Sequence, residues 1–245
     1  MRCSIIVAML AVGCAIPPER HLVEVPGDAA DDPLACANQQ PPQTAAPSVT
    51  ISGETAQPFT GDPVPNAGVT GYLDGLPGSA FSTTSDGSGA FSVDQNTGGS
   101  PLAFHVLASA DGYVSTMLYP SAPLTASTQI DPQLFASDKL EYVASLAGLT
   151  LDMTQDQIIL QVVDCSGAPI GGATVSSDPP GTVVYFEDSK PMPSAMMTDS
   201  TNAVVLIANV PPVSTEIYAS IGTTMFSTLS IDAAPGVLVQ AAIQP

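Results

Sequence analysis

The chain has 245 residues, with 23 acidic side chains against four Lys and Arg and a formal net charge of −19. That balance excludes a nucleic-acid footprint, which needs Lys and Arg to replace phosphate counterions, and it excludes electrostatic docking on anionic lipid. Two histidines and no tryptophan leave little material for catalysis or for aromatic stacking, while acidic surface is a common solubilising device.

Residues 1–14 have the layout of a secretory signal: Arg2, an apolar run from Ile5 to Val12 that is too short to cross a bilayer, then Gly13-Cys14. Leu10-Ala11-Val12-Gly13-Cys14 resembles a bacterial lipobox, with Ala11 where Leu is usual, and makes Cys14 the expected lipidation site. The alternative is an ordinary signal cleaved nearby, with Cys14 incidental. No later stretch is apolar for long enough to be a membrane helix, so the N-terminal lipid would be the only link to the membrane. Residues 15–47 are rich in Pro, Ala, Asp and Gln, and read as a flexible tether.

Residues 48–124 form a first module of short strands with turns between them. Val49 to Gly53 alternates, Val69 to Leu73 follows the Gly/Asp/Pro turn ending at Asn66, and Ala90 to Val93 follows the glycine-dense loop at Asp86-Gly87-Ser88-Gly89. Leu102 to Ala108 is a further strand, and Asp111-Gly112 turns the chain into Tyr113 to Met117. In the linker, 125–156, the stretch from Asp131 to Gly148 predicts one helix: Asp131 as cap, Pro132 at the first position, and an apolar stripe of Ala136, Leu140, Val143 and Ala147. A second module, 157–245, opens on the almost wholly apolar Ile158 to Val163. Further strands are expected at Val183 to Phe186, Ala203 to Ile207, Thr215 to Ser220, Thr224 to Leu229 and Gly236 to Ile243.

The two modules repeat one another. Gly61 to Val69 aligns without a gap on Gly167 to Val175, Ser85 to Phe91 on Thr198 to Val204, and Val106 to Ser109 on Ile217 to Ser220. The predicted fold class is therefore all-β, with two tandem small antiparallel sandwiches of transthyretin or immunoglobulin type joined by a segment with one short helix.

These patches resemble the carboxypeptidase regulatory-like family of transthyretin-like sandwiches. Asp164, Gly167, Pro169, Ile170, Gly172, Ala173 and Val175 stand in its register, then Thr198 and Asp199. In the first module Gly61, Pro63, Val64, Ala67 and Val69 match, then Asp86, Gly89 and Phe91, then Ala108, Gly112 and Tyr113. Asn66 and Asn202 replace family glycines, and Asn tolerates the left-handed backbone those glycines supply. The motif residues set hairpin angles and fill a thin core. The resemblance implies an extracytoplasmic accessory module, and the lipid anchor expected on Cys14 would hold it at the bacterial outer membrane or cell surface. It would be a non-catalytic lipoprotein serving as a spacer or as a surface for envelope proteins, or alternatively a carbohydrate-binding module that meets polysaccharide.

No nucleophile motif, phosphate loop or Cys/His metal cluster is present, so no catalytic residue, cofactor or metal ligand is assigned. Asp86-Gly87-Ser88-Gly89 lacks the ladder of a calcium loop and reads as a turn. His21 lies in the tether, and His105, between Phe104 and Val106, reads as a packed strand residue. A glycan reading rests on Tyr113, Tyr119 and Tyr185, which fall near expected strand ends. If Cys3 leaves with the signal and Cys14 is lipidated, Cys36 and Cys165 remain. They are either a disulfide or two free thiols.

Overall fold

The computed structural model describes residues 32–37, 39–74, 76–232 and 235–245. The signal-like stretch with Cys14, and the start of the tether with His21, lie outside the described residues.

Alternating burial builds the first half. In β1 (Ser48–Glu54), Val49, Ile51 and Gly53 turn inward, and Gly53 is obligatory because an added Cβ would lie 1.6 Å from the Ile130 carbonyl oxygen. β1 pairs antiparallel with β4 (Ala90–Asn96). β2 (Gly68–Leu73) lies between β3 (Ser79–Thr84) and β5 (Phe104–Ser109). β6 (Thr116–Tyr119) follows beside β5, and β7 (Thr128–Gln129) runs parallel to β1. Between these layers sits a core of Val49, Ile51, Val69, Phe91, Phe104 and Val106.

The second half repeats these pairings. β8 (Asp156–Val162) pairs with β12 (Val204–Val210) as β1 does with β4. β9 (Thr174–Asp178) pairs with β13 (Thr215–Ile221) as β2 does with β5. β16 (Leu238–Ile243) runs parallel to β8 as β7 does to β1. One strand changes sheets: β3 joins β2, whereas β10 (Thr182–Glu187) joins β12 and carries β11 (Lys190–Met192) at its edge. β14 (Thr224–Met225) and β15 (Leu229–Ile231) complete the sheet of β13. The expected strand from Thr224 to Leu229 is thus broken, and β3 is an element that the sequence reading passed over.

β16 does more than its counterpart. It lies parallel to β8 on one side and to β6 on the other, so one nine-stranded sheet runs β11-β10-β12-β8-β16-β6-β5-β2-β3 through both halves. β6 is shared accordingly. Met117 and Tyr119 enter the large core of the second half with Ile158, Leu160, Val239 and Ala241, while Leu118 packs on the first core. The protein is an all-β sandwich fold with one helix among the described residues.

That helix, α1 (Ser137–Leu146), is shorter than expected, and its N-cap position is Ala136, not Asp131. Asp131 does not cap it: its buried carboxylate accepts from Glu54 N at 2.7 Å and from Gln129 Nε2 at 3.3 Å. Residues 132–135 run extended along the first half, with Leu134 N donating to Ala56 O and Val114 N to Phe135 O. Gly148 does close the end, at φ +71°. Of the expected stripe, Leu140 and Ala147 are buried and Val143 is half-buried.

Residues 32–37, assigned to the tether, are folded onto the second half. Cys36 and Cys165 are joined by a disulfide with Cα atoms 5.6 Å apart. Cys165 N donates to Pro33 O, and Leu34 packs on the large core. Among the described residues no helix is long and apolar enough to cross a membrane.

Candidate functional site

The polar residues of the motif work on the backbone. Asp86 Oδ1 accepts from Ser88 N, Ser88 Oγ and Ala90 N at 2.7–3.0 Å, and Asp164 Oδ1 accepts likewise from Ser166 N, Ser166 Oγ and Ala168 N at 2.7–2.9 Å. Asp199 Oδ1 accepts from Thr201, Asn202 and Ala203 N at 3.0–3.2 Å. These donors favour the charged form. The Ser88 hydroxyl, helped by two backbone N–H groups, holds the Asp86 carboxyl below its ordinary value. Burial pushes Asp199 up, but its backbone N–H donors outweigh that and the net direction is down.

A deeper equivalence ties the two halves. Ser85 Oγ accepts from Ala67 N at 2.9 Å and donates to Val64 O at 3.0 Å. Thr198 Oγ1 accepts from Ala173 N at 3.0 Å and donates to Ile170 O at 2.8 Å. Both are buried clamps across the same turn. The turn needs left-handed backbone, which Asn66 adopts at φ +58° where Gly172 has +84°. Asn202 behaves otherwise: in its turn Ala203 takes the positive φ, +48°.

His105 lies in β5, turned away from the first core. Its ring is stacked between Tyr72, with centroids 5.3 Å apart, and Tyr119 at 4.8 Å. Its Nδ1 lies 3.0 Å from Asp74 Oδ1. Each ring comes from a neighbouring strand, so the stack crosses the junction toward the second half. Burial pushes the Tyr119 phenol up to about 12, and its oxygen accepts from Asp232 N at 3.1 Å. The sequence reading placed His105 on a strand but missed its partners, because Tyr72 and Tyr119 lie too far along the chain for any local pattern to reveal them.

Two of the three tyrosines read as glycan contacts cannot serve. Tyr119 is 5% and Tyr185 6% exposed, and the Tyr185 hydroxyl accepts from Val175 N at 2.9 Å. Both belong to the large core of the second half, and their strand neighbours Leu118 and Phe186 pack on other cores. Tyr113 is half-buried and lines an open depression of about 590 Å³ at the end of the first half, with Asn66, Ser109, Asp111 and Ser115.

A second, apolar groove of about 150 Å³ lies where α1 meets β8, β10 and β12. Phe59, Phe135, Leu140, Val143, Ile159 and Phe186 line it. Phe59 is 69% exposed on left-handed backbone and meets Phe135 edge-on at 6.0 Å. Among the described residues no three His, Cys, Asp or Glu side chains gather where they could share a metal ion.

No family model and no curated protein matches the chain. Solved structures resemble it at low identity. Hydroxyquinol 1,2-dioxygenase from Pseudomonas putida DLL-E4 is 14% identical over 37% of this chain and 57% of its own, with a TM-score of 0.29. The streptococcal ancillary pilin is 9% identical over 81% of this chain and 62% of its own, also at 0.29. The shaft pilin SpaA from Lactobacillus rhamnosus GG is 11% identical over 82% of this chain and 98% of its own, at 0.24. Of the first two matches, the dioxygenase and the Bacillus anthracis TIE protein, the chain spans 57% and 34%. Likenesses at this level bring no site or activity to this chain.

Proposed function

We propose that the protein is a non-catalytic cell-envelope lipoprotein, anchored through a lipid on Cys14, whose two carboxypeptidase regulatory-like modules act as a spacer or protein-interaction surface. The observation that carries this reading is the employment of its polar side chains. The motif carboxylates Asp86, Asp164 and Asp199 each bind their own turn, and His105 is enclosed between two tyrosine rings. Catalysis needs a positioned base or nucleophile that can reach a substrate, and these groups are committed to the fold. The exposed Phe59 beside its apolar groove supports a surface that meets other proteins.

The test has two arms. A palmitate analogue fed to a bacterial host is expected to label the full chain and not its Cys14→Ser variant; label that persists in the variant removes the lipid anchor. A glycosidase, esterase and peptidase substrate panel is expected to stay silent. Turnover that His105→Ala abolishes overturns the non-catalytic reading.

A further inference from the structure

The duplication offers an internal control for the depression at Tyr113. Ser109 in the first half corresponds to Ser220 in the second, and each stands opposite the first residue of the neighbouring strand: Gly68 opposite Ser109, Thr174 opposite Ser220. In the second half that neighbour closes the position, since Thr174 Oγ1 lies 3.0 Å from Ser220 Oγ. In the first half Gly68 has no side chain, and Ser109 Oγ is left without a partner among the described residues. The same end differs at two further places. Asn66 stands where the second half has Gly172, and Asp111 where it has Gly222. Each change in the first half opens space or adds a polar group to one surface.

We propose that this depression is a binding site for a neutral saccharide. Its volume, about 590 Å³, is within the range of small-ligand sites. Tyr113 packs against the small core of Val64, Ala67, Ala108 and Leu134 while remaining half-exposed, so an anchored aromatic ring lines the space. Such a ring offers an apolar face to the C–H side of a sugar at low entropic cost. Around it stand an amide, a carboxylate and two hydroxyls, from Asn66, Asp111, Ser109 and Ser115. None of the four side chains is hydrogen-bonded to a described residue. Together they supply donors and acceptors in the mixture that sugar hydroxyls require. Asn66 is held in place while its amide stays free: its backbone N donates to Ser85 O. No cation lines the site, and the chain carries a net charge of −19, so uronates, sulfated glycans and phosphates are repelled. This site is independent of whether the chain is lipidated or inert as a hydrolase.

The test is affinity electrophoresis of the full chain through gels containing amylose, laminarin, galactomannan, arabinoxylan or dextran, with polygalacturonate as the charged comparison. At least one neutral polysaccharide is expected to retard the chain, and polygalacturonate none. Tyr113→Ala is expected to weaken the retarding interaction about tenfold, the loss of one stacking face. Gly68→Thr recreates the closed arrangement of the second half and is expected to weaken it to a similar extent. The position has room for a Cβ, which would meet Ser109 Oγ at 3.6 Å and Ser109 O at 3.9 Å, both ordinary contact distances. Tyr142→Ser, on α1 away from the site, is expected to leave retardation unchanged. Free migration through all five neutral gels overturns the proposal. So does retardation that survives both Tyr113→Ala and Gly68→Thr, or that appears only with polygalacturonate.

Discussion

Thr198 and Ser85 each satisfy one buried backbone N–H and one backbone carbonyl with a single hydroxyl. Replacing Thr198 by Val keeps the shape and leaves both backbone groups without that partner, which costs about 1–3 kcal/mol. Denaturant unfolding of Thr198→Val is expected to show a lower midpoint at unchanged slope. Asp199 adds a pH signature. Its carboxyl is held below the ordinary value of 3.8, so the folded state favours the ionised form. The stabilisation is fully present above the ordinary carboxylate range and is lost as pH falls through the folded pKa. Unfolding midpoints measured from pH 7 down to 2 are expected to fall more gently in Asp199→Asn than in the parent; identical profiles would show that the turn does not sense that charge. These residues were legible in the sequence as a repeated motif. Their donors were not, because an Asx turn and a hydroxyl clamp are fixed by backbone geometry that appears only once the hairpin is closed.

At the level of elements, the disulfide ties residues 32–37 to the first turn of the second half across a separation of 129 residues. Closing a loop of that length restricts the unfolded chain by about 4–5 kcal/mol in the chain-entropy model. Cys165→Ser is therefore expected to lower the melting temperature clearly. Thiol titration of the unfolded, unreduced mature protein is expected to find neither Cys36 nor Cys165 reactive; two reactive thiols would mean that the bridge does not form. Strands with clean alternation, such as β1, or with an unbroken apolar run, such as β8, were readable by eye. β3, Ser-Ala-Phe-Ser-Thr-Thr at an exposed sheet edge, has no such pattern because neither face is fully buried. The helix start failed for another reason. Asp131 has the right chemistry for a cap, but a tertiary partner, the Glu54 N–H, claims its carboxylate.

At the level of the whole molecule, each half has its own core, yet β16 and β6 belong to both. Fragments 48–124 and 157–245 are each expected to give β-type circular dichroism with a cooperative melt, near the lower size limit for an independent core. Both are expected to melt below the intact chain, since the second fragment loses the β6 side of β16 and the first exposes Met117 and Tyr119. Fragments that match the intact chain would show that the shared sheet adds no stability; two unfolded monomers would show a single indivisible core. The duplication could be read from aligned patches, whereas the joining of the halves could not. A parallel pairing between residues 116–119 and 238–241 carries no local signal in either segment.

The position of β16 has a consequence in time. It follows every other strand of the nine-stranded sheet along the chain, yet it occupies a place in the middle of that sheet. A chain delivered N-terminus first presents β6 and β8 with open flanks until residues 238–243 emerge, and each flank is a row of unpaired N–H and C=O groups that invites foreign strands. Non-local parallel pairing is also slow to form. Assembly thus ends with a keystone insertion, and the interval before it is when the nascent protein most needs shielding from its own copies.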